Sequence, residues 1–354
     1  MSQHNEINIG RMKQNVLIIC FSGISNVAAI VPLLDALDRR YPDCRFTVLS
    51  RTFLRPLFDS FAHVEFVGAD IRRDHSGLRG AYKLFNLCRR TPFDVVIDLQ
   101  DAWRTRVIRR LFRLHGTKTV VVDKQRREMR KLVKQGALKY RPLKTIFERY
   151  AAAFAQAGFT VDYQFEHLPS AEAERRQRVT DVYGTKTGRW IGIAPFSIAH
   201  GKTLPFRKMK NVIRHFDTQP DTQIFLFGAG EMENELLSDW QTIFTNVHAV
   251  HTSLRLDEEL ALMEQLDVMV TMDSGNMHLA ALTATPVVSI WGATHPYAGF
   301  AGWHQTAASQ VGVDFSCRPC TAHEDRRCKY GDYRCLESIP SAKIIERIEQ
   351  VLEK

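Results

Sequence analysis

The sequence predicts an α/β protein made of two successive Rossmann-like halves, each a parallel sheet covered by helices, with a cleft between them. Three observations carry this. Short apolar runs alternate with stretches of helical periodicity, which is the pattern of βαβ units. The alternation stops at a polar stretch around Asp162–Arg178 and then restarts. The length, 354 residues, suits two domains. The expected division is an N-terminal domain over residues 1–170 and a C-terminal domain over 171–354, with the last helix packing back on the first domain.

In the first half, Val16–Phe21 reads as a strand, followed by a loop at Ser22–Asn26. Val27–Arg40 carries Val27, Ile30, Leu34 and Leu37 at helical spacing. Further strands are expected at Arg45–Leu49, Val64–Val67, Val95–Leu99 and Thr119–Val122, with helices at Gly80–Arg90 and Trp103–His115. In the second half the strands are Trp190–Ala194, Gln223–Phe227, Val268–Thr271 and Val287–Trp291. The helices there are Met209–Phe216, Glu233–Phe244, Glu258–Leu266 and Met277–Leu282. Ser341–Glu353 closes the chain as an amphipathic helix with Ile344, Ile345, Ile348 and Leu352 on one side.

Composition narrows the function classes. At 45% hydrophobic and 25% charged residues, the chain is neither disordered nor a disulfide scaffold. No apolar run approaches the roughly 18 residues of a membrane span. The polar start and the short Val16–Phe21 run do not make a signal peptide. A cytoplasmic location with reduced cysteines is therefore expected. The net charge of +9 is unevenly spread, with +13 in residues 1–170 and −4 in 171–354. Arg104–Arg149 alone holds 16 basic and 3 acidic residues. Such a segment attracts polyanions, an anionic membrane surface or an acidic substrate, or else is simply a solvated helix face. It lacks the regularly placed aromatics of a single-strand nucleic-acid platform, so no nucleic-acid partner is expected.

In open α/β sheets, chemistry sits in the loops beyond the carboxyl ends of strands. Asp273-Ser-Gly-Asn-Met-His278 leads from a strand into a helix. Asp273 or Ser274 can cap that helix, and Gly275 allows close approach to the backbone. The free N–H groups suit a phosphate, and His278 adds a hydrogen bond. Ser197 and Lys202, after the strand Trp190–Ala194, can bind a diphosphate. Glu231, after Gly228-Ala-Gly230, can accept bonds from ribose hydroxyls. None of these loops is a GxGxxG fingerprint, which argues against a dinucleotide dehydrogenase. Cys317, Cys320, Cys328 and Cys335 fall within nineteen residues and could hold structural zinc, free thiols or labile disulfides.

Together these residues resemble glycosyltransferase family 9, the bacterial heptosyltransferase family of lipopolysaccharide core assembly. The resemblance is carried by Asp273–Ala281 with Pro286–Thr294, by Ile191–Pro195 with Gly201, Lys202 and Pro205, by Phe93–Gln100, and by Phe21-Ser-Gly-Ile24 with Pro32. It implies a GT-B fold, with a nucleotide sugar held by Ser197, Lys202, Glu231, Asp273, Ser274, Gly275 and His278. It also implies inverting transfer without a metal or other cofactor, with ADP-heptose as co-substrate and an anionic lipid-linked glycan as acceptor. The basic segment Arg104–Arg149 would then contact the inner face of the inner membrane. One position departs from the family. Its members usually carry Gly-Asp in the first loop, the aspartate resembling a general base, where this chain has Ser25-Asn26. An amide takes no proton at neutral pH. Asp101, just past the strand Val95–Leu99, is the substitute candidate, whereas Asp98 reads as structural. A second reading is a weak or inactive member that binds a sugar nucleotide or glycan.

Overall fold

The computed structural model describes residues 13–250, 254–321 and 327–353. In chain order the elements begin with β1 (Asn15–Ile19), α1 (Ile24–Ala28), α2 (Val31–Arg40), β2 (Arg45–Arg51) and β3 (Val64–Ala69). Next come α3 (Gly77–Cys88), β4 (Val95–Asp98), α4 (Trp103–Leu114), β5 (Lys118–Val121), α5 (Arg126–Gln135), α6 (Ile146–Ala157) and α7 (Ala173–Tyr183). Then follow β6 (Arg189–Ala194), α8 (Phe206–Asp217), β7 (Thr222–Leu226), α9 (Glu231–Ile243), β8 (Val247–Ala249) and α10 (Leu256–Met263). The chain ends with β9 (Val268–Met272), α11 (Gly275–Leu282), β10 (Val287–Ile290), β11 (Gln310–Val311), α12 (Arg334–Glu337) and α13 (Ser341–Leu352).

Two compact units result. The first contains residues 1–22, 30–123 and 147–165, and the second contains 23–29, 124–146 and 166–354. The first unit's sheet has the order β3-β2-β1-β4-β5, and every pairing is parallel. Its central strands β1 and β4 are almost wholly buried and largely apolar, as a sheet covered by helices on both sides requires. Leu17, Ile19, Val96, Leu84, Phe85, Ile108 and Phe112 form one core cluster, which joins β1 and β4 to α3 and α4.

The second unit's sheet, also fully parallel, runs β11-β10-β9-β6-β7-β8. The chain builds outward from β6 to β8, returns to β9 beside β6, and builds outward the other way. The reversal between β6 and β9 is a topological switch point, where loops diverge and leave room for a ligand. A cluster containing Ile191, Ile193, Val270, Met272, Phe216 and Trp240 fills this unit. α13 joins that cluster through Ile344 and Ile348 and packs on α8 and β9–β11.

The stretch Val27–Arg40 is not one helix. It breaks at Ala29–Ile30 between α1 and α2, and Pro32 lies in the first turn of α2, where a missing N–H leaves no bond unmade. α1 packs on α11 and belongs with it to the second unit, whereas α2 belongs to the first. β8 was hidden in sequence by its shortness and α5 by its charge.

Ile344 and Ile348 of α13 are fully buried. Ile348→Ala is expected to cost about 2–5 kcal/mol, read as a lower urea midpoint. An unchanged midpoint would show that α13 does not close the second unit's core.

Candidate functional site

Four loops leave the carboxyl edge of the second sheet, after β6, β7, β9 and β10. They bring most of the sequence-identified residues to one edge. At the switch point, Lys202 Nζ lies 2.8 Å from Asp273 Oδ2, with both side chains largely buried. The same oxygen accepts the Thr294 hydroxyl at 2.7 Å. Ser197 Oγ donates to the Asp273 carbonyl at 3.0 Å. Loops from β6, β9 and β10 are therefore joined through one aspartate. Thr294 belongs to this centre although its side chain gave no signal in sequence beyond its place at the end of a motif.

The start of α11 is not capped as expected. Ser274 takes the N-cap backbone position without a side-chain capping bond. Its hydroxyl lies 3.1 Å from Thr271 Oγ1 instead, and the Asp273 carboxylate is committed to Lys202 and Thr294. The opening amides of α11 thus have no side-chain cap, while the helix dipole places partial positive charge there. Gly275 is explained by its neighbours: a Cβ would stand 3.0 Å from Ile24 Cβ, so the glycine lets α1 close on α11. α1 carries Asn26, which is half-buried.

His278, one turn into α11, is buried and its Nε2 has no partner among the described residues. Burial pushes its pKa down to about 4, against a smaller opposing effect of Asp273. A hydrogen bond to the Phe300 backbone holds the ring. At neutral pH it is an uncharged imidazole with an acceptor nitrogen to spare. Glu231 is the first residue of α9 and is exposed. It stands apart from the Lys202–Asp273 centre: β7 is two strands from β9, roughly 10 Å.

Arg318 was missed in sequence because the cysteines around it drew attention. Its guanidinium is buried and donates from Nε to the Gly292 carbonyl at 2.6 Å. Nη2 donates to the carbonyls of Trp291 at 2.9 Å and Thr294 at 3.0 Å, and Nη1 to that of Val313. The Cys320 amide donates to Ala293, and the Ala293 amide to Gly201, each at 2.8 Å. Gly292 lies so close that a Cβ would come 2.5 Å from the Gly201 carbonyl oxygen. The Arg318 loop therefore fixes the loop of Thr294, which in turn abuts the loop of Lys202. None of the seven cysteines is disulfide-bonded. Among the described residues no group of three or more His, Cys, Asp or Glu is arranged to hold a metal.

In the first unit, Asp98 ends β4 and Asp101 lies just beyond it, beside β1 at that sheet's own switch point. Asp98 is fully buried, accepts the Gln100 and Asp101 amides at 2.9 and 2.8 Å, and meets Arg109 Nη1 at 3.1 Å. Burial raises its pKa against these bonds. These contacts make it a turn-forming residue. Asp101 has a left-handed backbone (φ 48°) and is held by Arg106 through Nε at 2.8 Å and Nη2 at 2.9 Å, with Arg109 Nη2 at 3.5 Å.

This pairing corrects the picture of Arg104–Arg149 as one exposed field. Arg106 and Arg109 are engaged with Asp98 and Asp101, and Arg149 is buried. The segment is also divided between the two units.

The two sheets define an α/β protein of two parallel-sheet units. The family model for glycosyltransferase family 9 (heptosyltransferase) matches residues 81–331, and the chain belongs to that family. It is 28% identical over 134 residues to lipooligosaccharide heptosyltransferase 2 of Campylobacter jejuni. That match spans 37% of this chain and only 41% of the relative's length. Among solved structures, the family 9 glycosyl transferase of Veillonella parvula aligns with a TM-score of 0.76 at 18% identity, covering 97% of this chain and 98% of that one. ADP-heptose lps heptosyltransferase II of E. coli aligns with a TM-score of 0.69 at 19% identity, covering 97% and 99%. At these identities the structures establish the shared fold.

Two outcomes follow from the site's packing. Arg318→Met strands several carbonyls and is expected to cost about 3 kcal/mol or more, measured by urea denaturation. His278 stays neutral in the fold while its unfolded form gains a proton below about pH 6.5. Its contribution is thus present above that pH and is lost as pH falls toward the folded pKa of about 4. About 2 kcal/mol should disappear between pH 7 and pH 5 through His278, beside a like loss from His295, whose pKa burial also lowers to about 4, and His278→Gln should make that part of the stability profile shallower by the His278 share. An equal slope in the variant would show that His278 is not the titrating group.

Proposed function

We propose that this chain is an inverting, metal-independent heptosyltransferase that transfers a heptose from ADP-heptose to a lipopolysaccharide core acceptor carried on an anionic lipid. The observation that carries this reading is the uncapped start of α11 beside Lys202, Thr294 and the open Nε2 of His278, at the switch point of the second sheet. The E. coli neighbour's name specifies ADP-heptose and lps, which supports the choice of donor and acceptor.

In this reading the diphosphate rests on the α11 amides. Asp273 takes one of the three N–H donors of Lys202, and the other two serve the phosphate oxygens. Ser197, Ser274 and Gly275 line the same edge, and Glu231, roughly 10 Å along it, receives ribose hydroxyls. An acceptor hydroxyl forms a bond to the anomeric carbon while the bond from that carbon to the phosphate oxygen breaks. Negative charge grows on the departing ADP, where the helix start and Lys202 stabilise it. The hydroxyl proton passes to a base, for which Asp101 is the proposed group.

A second reading, donor binding with little turnover, is favoured by two features. Asn26 occupies the position of the family's usual base, and Asp101 is already shared by Arg106 and Arg109.

Thermal-shift measurements test donor binding. ADP or ADP-heptose at a hundredfold excess over Kd should raise Tm by several degrees, and UDP, GDP and CDP should do less. No ADP shift would defeat the donor reading. Single-turnover ADP release with acceptor present then separates transfer from binding alone. Asn26→Asp should raise that rate by about 10²-fold or more if general-base help is what limits it. An unchanged rate removes residue 26 from the catalytic account.

A further inference from the structure

α3 and α4 lie side by side on the first unit's sheet, and their buried residues share one core cluster. Their opposite faces therefore look out on the same side. That outer surface is unusually apolar for solvent. On α4, Thr105, Ile108 and Phe112 point inward, whereas Trp103 is 50% and Leu114 81% exposed. On α3, Leu78 is 67% and Tyr82 53% exposed, and Leu87 is exposed at the far end. Isolated exposed apolar residues are ordinary, but these five sit on two adjoining helices.

The same surface is cationic. α3 carries Arg79 and Lys83, α4 carries five arginines, and neither helix contains an acidic residue. Arg106 and Arg109 are drawn to Asp101 and Asp98, but Arg79, Lys83, Arg110 and Arg113 are exposed. Arg104 stacks over the Trp103 ring at 4.6 Å. Trp, Tyr and Leu side chains interspersed with arginines match the boundary between lipid headgroups and acyl chains. A second copy of this chain would bring like charges together, and a nucleic acid would leave Leu78 and Leu114 without apolar partners.

We propose that the outer face of α3 and α4 docks on an anionic phospholipid surface, with Trp103, Leu114, Leu78 and Tyr82 entering the headgroup boundary and Arg79, Lys83, Arg110 and Arg113 pairing with lipid phosphates. For its purpose this rests on the reading that the acceptor is lipid-linked: α4 begins two residues after Asp101, so docking would bring the candidate base close to the bilayer. The docking itself can be measured without that reading.

The full chain is co-sedimented with vesicles of phosphatidylcholine alone and with about one-third phosphatidylglycerol. Binding should favour the anionic vesicles tenfold or more and weaken with added salt. Arg110→Gln with Arg113→Gln should weaken it about fivefold per arginine. Leu114→Gln, at a position where solvent already surrounds the side chain, should also weaken it. Trp103 emission should shift to the blue on binding in wild type and lose that shift in Trp103→Phe. Equal binding to both vesicle types, or anionic binding unchanged in the arginine and leucine variants, would overturn the proposal. A dimer in wild type that Leu114→Gln converts to monomer, without vesicle binding, would assign the face to a second copy and also overturn it. The ADP thermal shift of each variant is recorded alongside. Lost vesicle binding with a retained shift separates failure of docking from failure of the donor reading.

Discussion

The reversal of strand order between β6 and β9 is the constraint on which the functional edge depends. It sends the loop of Ser197 and Lys202 one way and the loop of Asp273 the other, so that they part above two hydrogen-bonded strands. A lysine and an aspartate then meet across that gap, largely removed from water. Such a pair gains little stability over an apolar pair of similar shape. What it does is fix geometry. Asp273 receives Lys202 and Thr294 on one oxygen, and the Asp273 backbone receives Ser197, which aligns three loops. Asp273 Oδ2 is engaged in this alignment, and the opening amides of α11 carry no side-chain cap. In the proposed reading this local cost in capping becomes a binding feature.

Behind that centre stands a second layer. Arg318 places a charged donor among backbone carbonyls and so holds the turn Trp291–Thr294 in place. A buried guanidinium can be tolerated there because several carbonyl oxygens surround it. The cysteines on either side of Arg318 are part of the loop that carries it. Their position near the site is accounted for by this packing, whatever their own chemistry.

Much of this was legible in sequence. Apolar runs such as Val16–Phe21 and Val268–Thr271 marked central strands to within one or two residues, because buried parallel strands are apolar on both faces. The site motif was readable for the same reason: a strand, a small-residue turn and a helix leave little conformational choice. Three things were not legible. The break at Ala29–Ile30 is masked by helical spacing that continues across it from Val27 to Leu37, although Pro32 lacks the N–H that would bridge it. Thr294 and Arg318 act through partners more than twenty residues away. The basic segment looked like a continuous surface because charge counting cannot see that Asp98 and Asp101 draw in Arg106 and Arg109, or that Arg149 folds inside.

The base position brings these strands of argument together. Asp101 has the right kind of atom, but it shares both oxygens with Arg106, and Arg109 is nearby. Residue 26 has the wrong kind of atom, yet it sits on α1, which Gly275 allows to close on the start of α11. In the proposed reading a carboxylate at 26, on a helix packed against α11, would be stabilised by the positive end of that helix. A bound diphosphate would oppose it with like charge and make it more basic. An aspartate at 26 would therefore gain basicity as donor binds, whereas Asp101 is held by arginines regardless of donor. In that reading the amide at this position removes the coupling between donor binding and proton removal, while the α1–α11 packing stays in place.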